Sequence, residues 1–149
     1  MLRTLFKSDI KQLLLIEQSV HVIPWGEETF NICFQSGCLG WGIEIDKKII
    51  GFILVSLQAE ECHILNLAIA MPYQRQGYGR QLLNHVLAHA TQKGAGIIYL
   101  EVRSSNTRAI SLYRKMKFHF IAERKGYYPM PNGQEDALVF AKSLKSEEN

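Results

Sequence analysis

A segment in the middle of the chain carries the residue types of an anion-binding turn. Residues 74–79 contain Gly77 and Gly79 and stand between an apolar stretch and the start of a helical pattern. Glycine lets the backbone approach a ligand closely, and the free amides of a first helical turn point at an anion. Arg75 and Arg80 add guanidinium groups, which can hold phosphate through paired hydrogen bonds. The segment predicts a diphosphate site, although glycine pairs also occur where a strand and a helix pack tightly.

The sequence around this turn excludes two other phosphate-binding loops. A Walker loop ends in glycine, lysine and serine or threonine, whereas Gly79 is followed by Arg80 and Gln81. A dinucleotide-binding fold places its glycine turn after the first strand, and here about four strand patterns come first.

Glu101 and Tyr113 are the residues beyond the turn that are best suited to proton transfer. Glu101 lies at the polar end of the apolar run 97–102, where partial burial would raise its pKa toward a value useful for a base. The alternative is a strand-end carboxylate paired with Arg103 or another cation. Tyr113 shares a helical face with apolar side chains, so the alternative for it is a core aromatic residue.

Hydrophobic periodicity places these residues in a mixed α/β order, a sheet with helices on its faces. Asn106 is expected to cap the helix that carries Tyr113, and Gly94 to end the helix that follows the turn. The predicted strands cover residues 2–5, 41–45, 49–58, 63–70, 97–102, 118–125 and 137–141. The predicted helices begin at residues 8, 27 and 106, with one more beyond the glycine turn whose apolar face spans residues 82–90.

Composition indicates a globular protein. The chain has 149 residues, of which 47% are hydrophobic and 21% charged, which fits one folded domain and neither a disordered nor a fibrous chain. Its formal net charge is +3, and the basic residues are too scattered to favour nucleic-acid binding. No apolar run is long enough to span a membrane and no signal-peptide pattern is present, so we expect a cytoplasmic protein that binds no membrane.

Cysteine and histidine spacing does not predict a metal site. Cys33, Cys38 and Cys62 form neither an even disulfide framework nor a Cys-x-x-Cys pair, and we expect them to be buried or half-buried. His85 and His89 lie four residues apart in a predicted helix, but no third ligand is near, so solvated helix positions are expected for both.

The turn and the order of elements together resemble the GNAT superfamily of N-acetyltransferases, whose acetyl-CoA signature is a Q/R-x-x-G-x-G/A turn after a central strand. Within that superfamily the sequence is most similar to the RimI family of ribosomal-protein-alanine N-acetyltransferases. The resembling stretches extend over nearly the whole chain: residues 16–18, 24–25, 67–69, 73–80, 100–103, 105–106, Tyr113 and 127–129.

The resemblance implies a GNAT fold over residues 1–149. Such a fold has a central mixed, mostly antiparallel sheet of about six or seven strands, with about four helices on its faces. One central pair of strands splays apart to admit the pantetheine arm of acetyl-CoA. One residue departs from the family pattern, because Lys117 stands before Phe118 where glycine is usual. A left-handed lysine there would cost about 1 kcal/mol relative to glycine.

The resemblance also implies a set of cofactor contacts. The backbone at the end of the central strand, the turn and one asparagine side chain would hold acetyl-CoA, and Asn106 could serve as a helix cap instead. No metal is implied. The residues concerned are Leu67, Ala68, Ile69, Arg75, Gln76, Gly77, Tyr78, Gly79, Arg80 and Asn106.

The family roles carried to this sequence make Glu101 the general base, acting through water, and Tyr113 the general acid. A phenol with a pKa near 10 can donate to a thiolate with a pKa near 8.5 as that thiolate forms. Trp25 and Tyr128, in the turn-rich segments 24–27 and 126–133, are candidate contacts for an extended peptide, although packing alone would also explain them.

The implied acceptor is the N-terminal amine of a small-subunit ribosomal protein that begins with alanine. An α-amino group has a pKa of about 7.7–8.0, against about 10.4 for lysine, so it asks less of a base. Two alternatives stay open: a GNAT enzyme acting on a small-molecule amine or a lysine side chain, and a non-catalytic module that binds coenzyme A. The sequence leaves the oligomeric state open, and we expect a monomer.

Overall fold

The segments with period-two patterns form one seven-stranded mixed sheet in the computed structural model, which describes residues 1–145. The order across the sheet is β1-β2-β3-β4-β5-β7-β6, and every neighbouring pair is antiparallel except β4 and β5. The strands are β1 Leu2–Thr4, β2 Leu39–Ile45, β3 Lys48–Gln58, β4 Glu61–Ile69, β5 Ile97–Arg103, β6 His119–Met130 and β7 Gly133–Ser143.

Four α-helices cover the two faces of this sheet: α1 Ile10–Val20, α2 Glu27–Gln35, α3 Tyr78–Gln92 and α4 Thr107–Lys115. Apolar residues of α1 and α2 pack with Phe52 and Leu54 of β3 on one face. Those of α3 and α4 pack with Ile98 and Leu100 of β5 on the other face. The predicted fold class, a mostly antiparallel mixed sheet with four helices, is confirmed.

The strands β4 and β5 separate at the centre of the sheet. Their parallel pairing runs from Glu61 and Ile97 to Ile64 and Leu100 and then stops. At that point β4 carries a bulge, since Leu54 of β3 lies opposite Asn66 while Val55 lies opposite Ile64. A bulge bends and twists its strand, so the last residues of β4 diverge from β5. The divergence leaves a gap in the middle of the sheet, as a splayed strand pair requires.

Two expectations from the sequence were wrong. The segment 126–133 is not a loop, because β6 extends to Met130 and β7 begins at Gly133, so the two strands make a long hairpin. The expectation of solvated positions for His85 and His89 was wrong in that both residues are half-buried, because both rings pack edge-on against Trp41 with centroids 4.9 Å away. Glycines and prolines predicted turns in the first case. In the case of the two histidines, helical spacing could not reveal that Trp41 of β2 packs against α3.

The cysteines lie as expected, with Cys33 and Cys62 buried and Cys38 half-buried, all as free thiols. No helix within residues 1–145 is both long and apolar enough to cross a membrane.

Lys117 ends α4 in the left-handed conformation that glycine usually occupies. Its φ is 72°, and the Phe118 amide donates to the Tyr113 carbonyl at 3.0 Å, which closes the helix. A β-carbon in this conformation costs about 1 kcal/mol. We therefore expect Lys117→Gly to raise the free energy of unfolding by about 1 kcal/mol and the melting temperature by about 2–4 °C. Denaturant titration with thermal unfolding checks this.

Lys115→Gly is the matched control, since the same change is made at the last residue of α4 rather than beyond it. Glycine within a helix should lower stability by up to about 1 kcal/mol. A loss of stability in both variants would show that Lys117 is not strained.

Candidate active site

The gap between β4 and β5 exposes backbone groups of the last residues of β4. The Ala70 amide donates to Ile50 of β3 at 2.8 Å, and alternate residues of an antiparallel ladder face the same neighbour. Ala68 therefore also faces β3, whereas the amides and carbonyls of Leu67 and Ile69 face the gap. The predicted cofactor contacts at Leu67 and Ile69 are thus oriented for a ligand, and the main chain of Ala68 is not.

The backbone of the turn after β4 has a geometry that can hold an anion. Arg75 and Gly77 both have left-handed φ values, 63° and 90°, and α3 begins at Tyr78. A left-handed arginine is unfavourable unless a site requires it, and successive right- and left-handed residues direct their amides into one concavity. The Gln81 amide bonds back to Gly77 at 3.0 Å, so the amides of residues 78–80 precede the first helical bond and point outward.

Side chains next to the turn brace it. The Gln74 amide nitrogen donates to the Ile69 carbonyl at 2.8 Å, and its oxygen accepts from Arg108 at the start of α4. Gln76 folds back, donating to the Pro72 carbonyl at 3.0 Å, so it can meet a ligand only through its main chain. Arg75 and Arg80 stay exposed beside the turn. The turn is therefore held by β4 on one side and by α4 on the other, and two arginine side chains lie beside it.

Gly79 is needed for a different reason from Gly77. A β-carbon at Gly79 would lie 3.3 Å from Leu112 Cδ2 of α4, which is tighter than ordinary packing. Both explanations of the glycine pair therefore apply: Gly77 permits the left-handed turn, and Gly79 lets α3 pack closely against α4.

Glu101 lies on the face of β5 opposite to α3 and α4, since its neighbours Leu100 and Val102 pack with those helices. Its side chain is 30% exposed, and Oε2 forms an ion pair with Arg124 Nε of β6 at 2.8 Å. The pairing with another cation that the sequence left open is therefore present, with Arg124 and not with Arg103. The described residues offer no hydrogen bond to Oε1, so this oxygen is available to a water molecule or an amine.

Tyr128 lies between Glu101 and Tyr113. Burial, reinforced by the Glu101 carboxylate, raises the pKa of Tyr128 to about 12. Arg103 holds the ring, with its guanidinium carbon 4.4 Å from the ring centroid and Nη1 donating to the Pro129 carbonyl at 3.2 Å. The Tyr128 ring is therefore held by Arg103 of β5, the strand that carries Glu101.

Glu135 of β7 joins this hairpin to the start of α4. Its carboxylate accepts from the Ser105 amide at 2.6 Å and pairs with Arg103 at 3.5 Å. Hydrogen bonds from Ser105, followed by Arg103 and Ser104, hold the pKa of Glu135 below its usual value. The β6–β7 hairpin and the turn before Asn106 consequently form one braced unit.

Tyr113 of α4 lies on the opposite face of the sheet from Glu101, in the core cluster that contains Leu100 and Val102 of β5. The residue is 6% exposed and packs against Phe118 with ring centroids 5.8 Å apart. Burial, with a smaller contribution from Tyr128, raises the pKa of Tyr113 well above its ordinary value. The core-aromatic alternative is thus correct for the ring. The hydroxyl has no hydrogen-bond partner among residues 1–145, so it is free to donate to a ligand in the gap.

Asn106 caps α4, as the sequence predicts. Its Oδ1 accepts from the Ala109 amide at 3.2 Å. The side-chain nitrogen makes no bond to the described part of the chain, so the cap leaves a donor for a ligand. The two uses that the sequence left open are therefore compatible.

The segment 21–26, between α1 and α2, lies along the same open face as Glu101. The Trp25 ring packs on Phe30 with centroids 5.1 Å apart, and the Trp25 amide donates to the buried Glu17 carboxylate at 2.9 Å. Asn66 of β4 donates to the same carboxylate at 2.8 Å. In the order of the sheet, Glu101 of β5 lies between β4, which is linked to this segment through Asn66 and Glu17, and the β6–β7 hairpin. We call the space between the segment and the hairpin the groove.

Sequence reasoning missed four residues of this arrangement: Asn66, Arg108, Arg124 and Glu135. Each acts through a partner distant in the chain, and a single polar residue on a strand or helix carries no signal of such pairing. No group of three or more side chains that could hold a metal occurs among the described residues.

Comparisons with known proteins agree with this geometry. Residues 8–118 match the family model described as "Acetyltransferase (GNAT) family". The chain is 35% identical over 134 residues to the [ribosomal protein bS18]-alanine N-acetyltransferase of Escherichia coli strain K12, covering 90% of each protein.

Solved structures extend the likeness to the fold. The crystal structure of the ribosomal-protein-S18-alanine N-acetyltransferase from Escherichia coli superposes with a TM-score of 0.92 at 32% identity, covering 100% of this chain and 96% of that one. NAA60 of Arabidopsis thaliana in complex with acetyl-CoA superposes with a TM-score of 0.86 at 21% identity, covering 98% of this chain and 99% of that one, and so supports the fold alone.

Proposed function

The chain belongs to the GNAT family of acetyltransferases, and on that premise we propose that it acetylates the N-terminal α-amino group of a protein with acetyl-CoA as donor. The acceptor we propose is a small-subunit ribosomal protein whose first residue is alanine, in line with the names of the relatives. One structural observation supports the reaction above all others: the pairing of β4 and β5 ends at Leu100, so the gap opens next to Glu101, and Tyr113 packs in the core cluster that holds Leu100 and Val102 on the other face of the sheet.

Acetyl-CoA would lie along the gap, with its diphosphate at the turn. The left-handed Arg75 and Gly77 and the free amides of residues 78–80 would hold the diphosphate, and Arg75 and Arg80 would add charge. The amide and carbonyl of Leu67 and the amide of Ile69 would pair with the pantetheine arm as a neighbouring strand does, since the Ile69 carbonyl already accepts from Gln74. The Asn106 nitrogen would bind the same arm from α4.

The acceptor amine would enter from the open face, between the segment 21–26 and the β6–β7 hairpin. Glu101 Oε1 would take its surplus proton through a water molecule while the amine attacks the thioester carbonyl. Backbone amides of β4 would polarise that carbonyl oxygen. Tyr113, on the far side of the gap, would give its proton to the departing sulfur. Amine and proton donor thus approach the thioester from opposite faces of the sheet.

The open groove supports a peptide rather than a small amine as acceptor. Trp25 and Tyr128 stand on its two walls, and the wall residues are tied to the scaffold through Glu17 and Arg103. An extended chain end needs two such walls, whereas a small cation would need an enclosed acidic pocket. Glu101 is paired with Arg124, so it does not form such a pocket.

A panel of peptides that differ only in their first residue tests the proposal. We expect acetyl-CoA to acetylate a peptide beginning with alanine at its α-amino group, located by fragmentation mass spectrometry. A lysine-containing peptide with a blocked N-terminus is the matched control and should react at least about tenfold more slowly, since about 2.5 pKa units separate the two amines. Acetyl found only on lysine side chains, or on spermidine in preference to every peptide, would contradict the proposal.

A further inference from the structure

A buried carboxylate, Glu17 of α1, has no place in the chemistry described above. Glu17 is 1% exposed. The other buried polar or charged residues within 1–145 are Asp9 and Asn66. Asp9 has Arg3 as an ion-pair partner at 3.0 Å. Glu17 has no lysine or arginine partner in the described part of the chain. Its carboxylate accepts from the amides of Trp25 and Asn66, and His21 Nε2 lies 3.6 Å from Oε1.

The hydrogen bonds around Glu17 have a defined direction. Asn66 donates Nδ2 to Glu17 Oε1 at 2.8 Å, so its Oδ1 faces the other way, 3.1 Å from His21 Nε2. An amide oxygen only accepts, and His21 must therefore carry a hydrogen on Nε2. The chain of donors runs from His21 to Asn66 to Glu17, and Trp25 donates to the same carboxylate from the other side.

This network connects the acceptor side of the site to the cofactor side. His21 and Trp25 belong to the segment 21–26, which forms one wall of the groove. Asn66 lies on β4 immediately after the bulge and just before the gap-facing Leu67. A buried carboxylate is a poor source of stability compared with an apolar side chain of the same volume. Its advantage is that directional bonds fix one arrangement of the groups around it.

We propose that Glu17 is a positioning residue that sets the distance and angle of the segment 21–26 relative to the bulge of β4, and so delivers the N-terminal residue of the acceptor over the gap. The kinetic part of this inference rests on the function proposed above. A misplacement of about 1 Å can cost an enzyme a large factor in rate, so loss of the network should raise the acceptor KM by about tenfold. The affinity for acetyl-CoA should not change.

A reversal of hydrogen-bond polarity tests the network. Asn66→Asp places a carboxylate where an amide donated to Glu17, and the two like charges should repel. Glu17→Gln alone should be milder, because the Asn66 amide can turn over. Glu17→Gln combined with Asn66→Asp restores a donor facing an acceptor. We expect the acceptor KM to rise about tenfold in Asn66→Asp and to return to within about threefold of wild type in the double variant.

Gln12→Ala is the matched structural control. Gln12 also reaches from α1 to a strand, accepting from the Ile49 amide at 2.9 Å, but it does not touch the segment 21–26. It should lower stability while leaving the KM for acceptor and the Kd for acetyl-CoA unchanged. A rise of the acceptor KM in Gln12→Ala equal to that in Asn66→Asp would overturn the inference, since any loosening of α1 would then suffice.

Hydrogen exchange provides a readout that needs no activity. The Trp25 amide is protected in the wild type by its bond to Glu17, and exchange at residues 21–26 should accelerate in Asn66→Asp and recover in the double variant. Unchanged exchange at these residues, or acceleration spread over the whole sheet, would overturn the inference. A wild-type protein that acetylates no peptide but shows the expected exchange pattern would reject the proposed function and retain the positioning role.

Discussion

Glu101→Gln should lower kcat/KM for the acceptor peptide by about 10²- to 10³-fold at neutral pH, the usual contribution of a general base. The substitution keeps the shape of the side chain and removes its ability to take a proton. The deficit should shrink as the pH rises through about 8, because the α-amino group then arrives neutral. Steady-state rates between pH 6.5 and 9.5 check this, with the Kd for acetyl-CoA measured by calorimetry and expected to stay within about twofold.

Two further variants separate base catalysis from charge effects. Glu61→Gln alters an exposed strand glutamate outside the groove and should leave kcat/KM unchanged. Arg124→Gln breaks the ion pair of Glu101 but keeps its carboxylate, so it should cost less than about tenfold. If Glu101→Gln and Arg124→Gln lose activity equally, the ion pair and not proton transfer is what matters. Turnover of Glu101→Gln within threefold of wild type would exclude a role as base.

The order of elements was predictable because each has a strong local signal. The strands β3 to β5 are rich in β-branched residues, the helices α3 and α4 repeat their apolar residues at helical spacing, and Asn106 and Gly94 mark their ends. The predicted strands of the β6–β7 hairpin were too short, because they left out the residues at its tip. Its glycines and prolines weaken strand propensity, and the ladder to β7 that overrides them is a tertiary effect.

The candidate site was predictable where it depends on one contiguous segment. The turn 74–79 signals its backbone geometry through Gly77 and Gly79, and the structure adds the left-handed Arg75. Partners remote in the chain had no such signal. Nothing local to Glu101 points to Arg124, 23 positions away, and nothing near Glu17 points to Asn66, 49 positions away. Register within the sheet decides both pairs, and one sequence does not reveal register across a bulge.

Tyr113→Phe should lower kcat by about 10²-fold with little change in stability. The hydroxyl bonds to none of the residues 1–145, so its removal leaves no buried partner unsatisfied, and the ring keeps its packing on Phe118. The raised pKa of Tyr113 keeps the phenol protonated throughout the neutral range, so it holds a proton until the thiolate forms. Without that proton the sulfur must leave as an anion in a gap that shields it from water.

Tyr99→Phe is the matched control. Tyr99 lies on β5, two residues before Glu101, but its ring packs beside that of His63 with centroids 5.0 Å apart. It should turn over like the wild type, and both variants should bind acetyl-CoA with unchanged Kd by calorimetry. A Tyr113→Phe enzyme within threefold of the wild-type kcat would mean that water protonates the sulfur. An equal loss in kcat and in acetyl-CoA affinity would instead make Tyr113 a binding residue, because an acid acts only as the carbon–sulfur bond breaks.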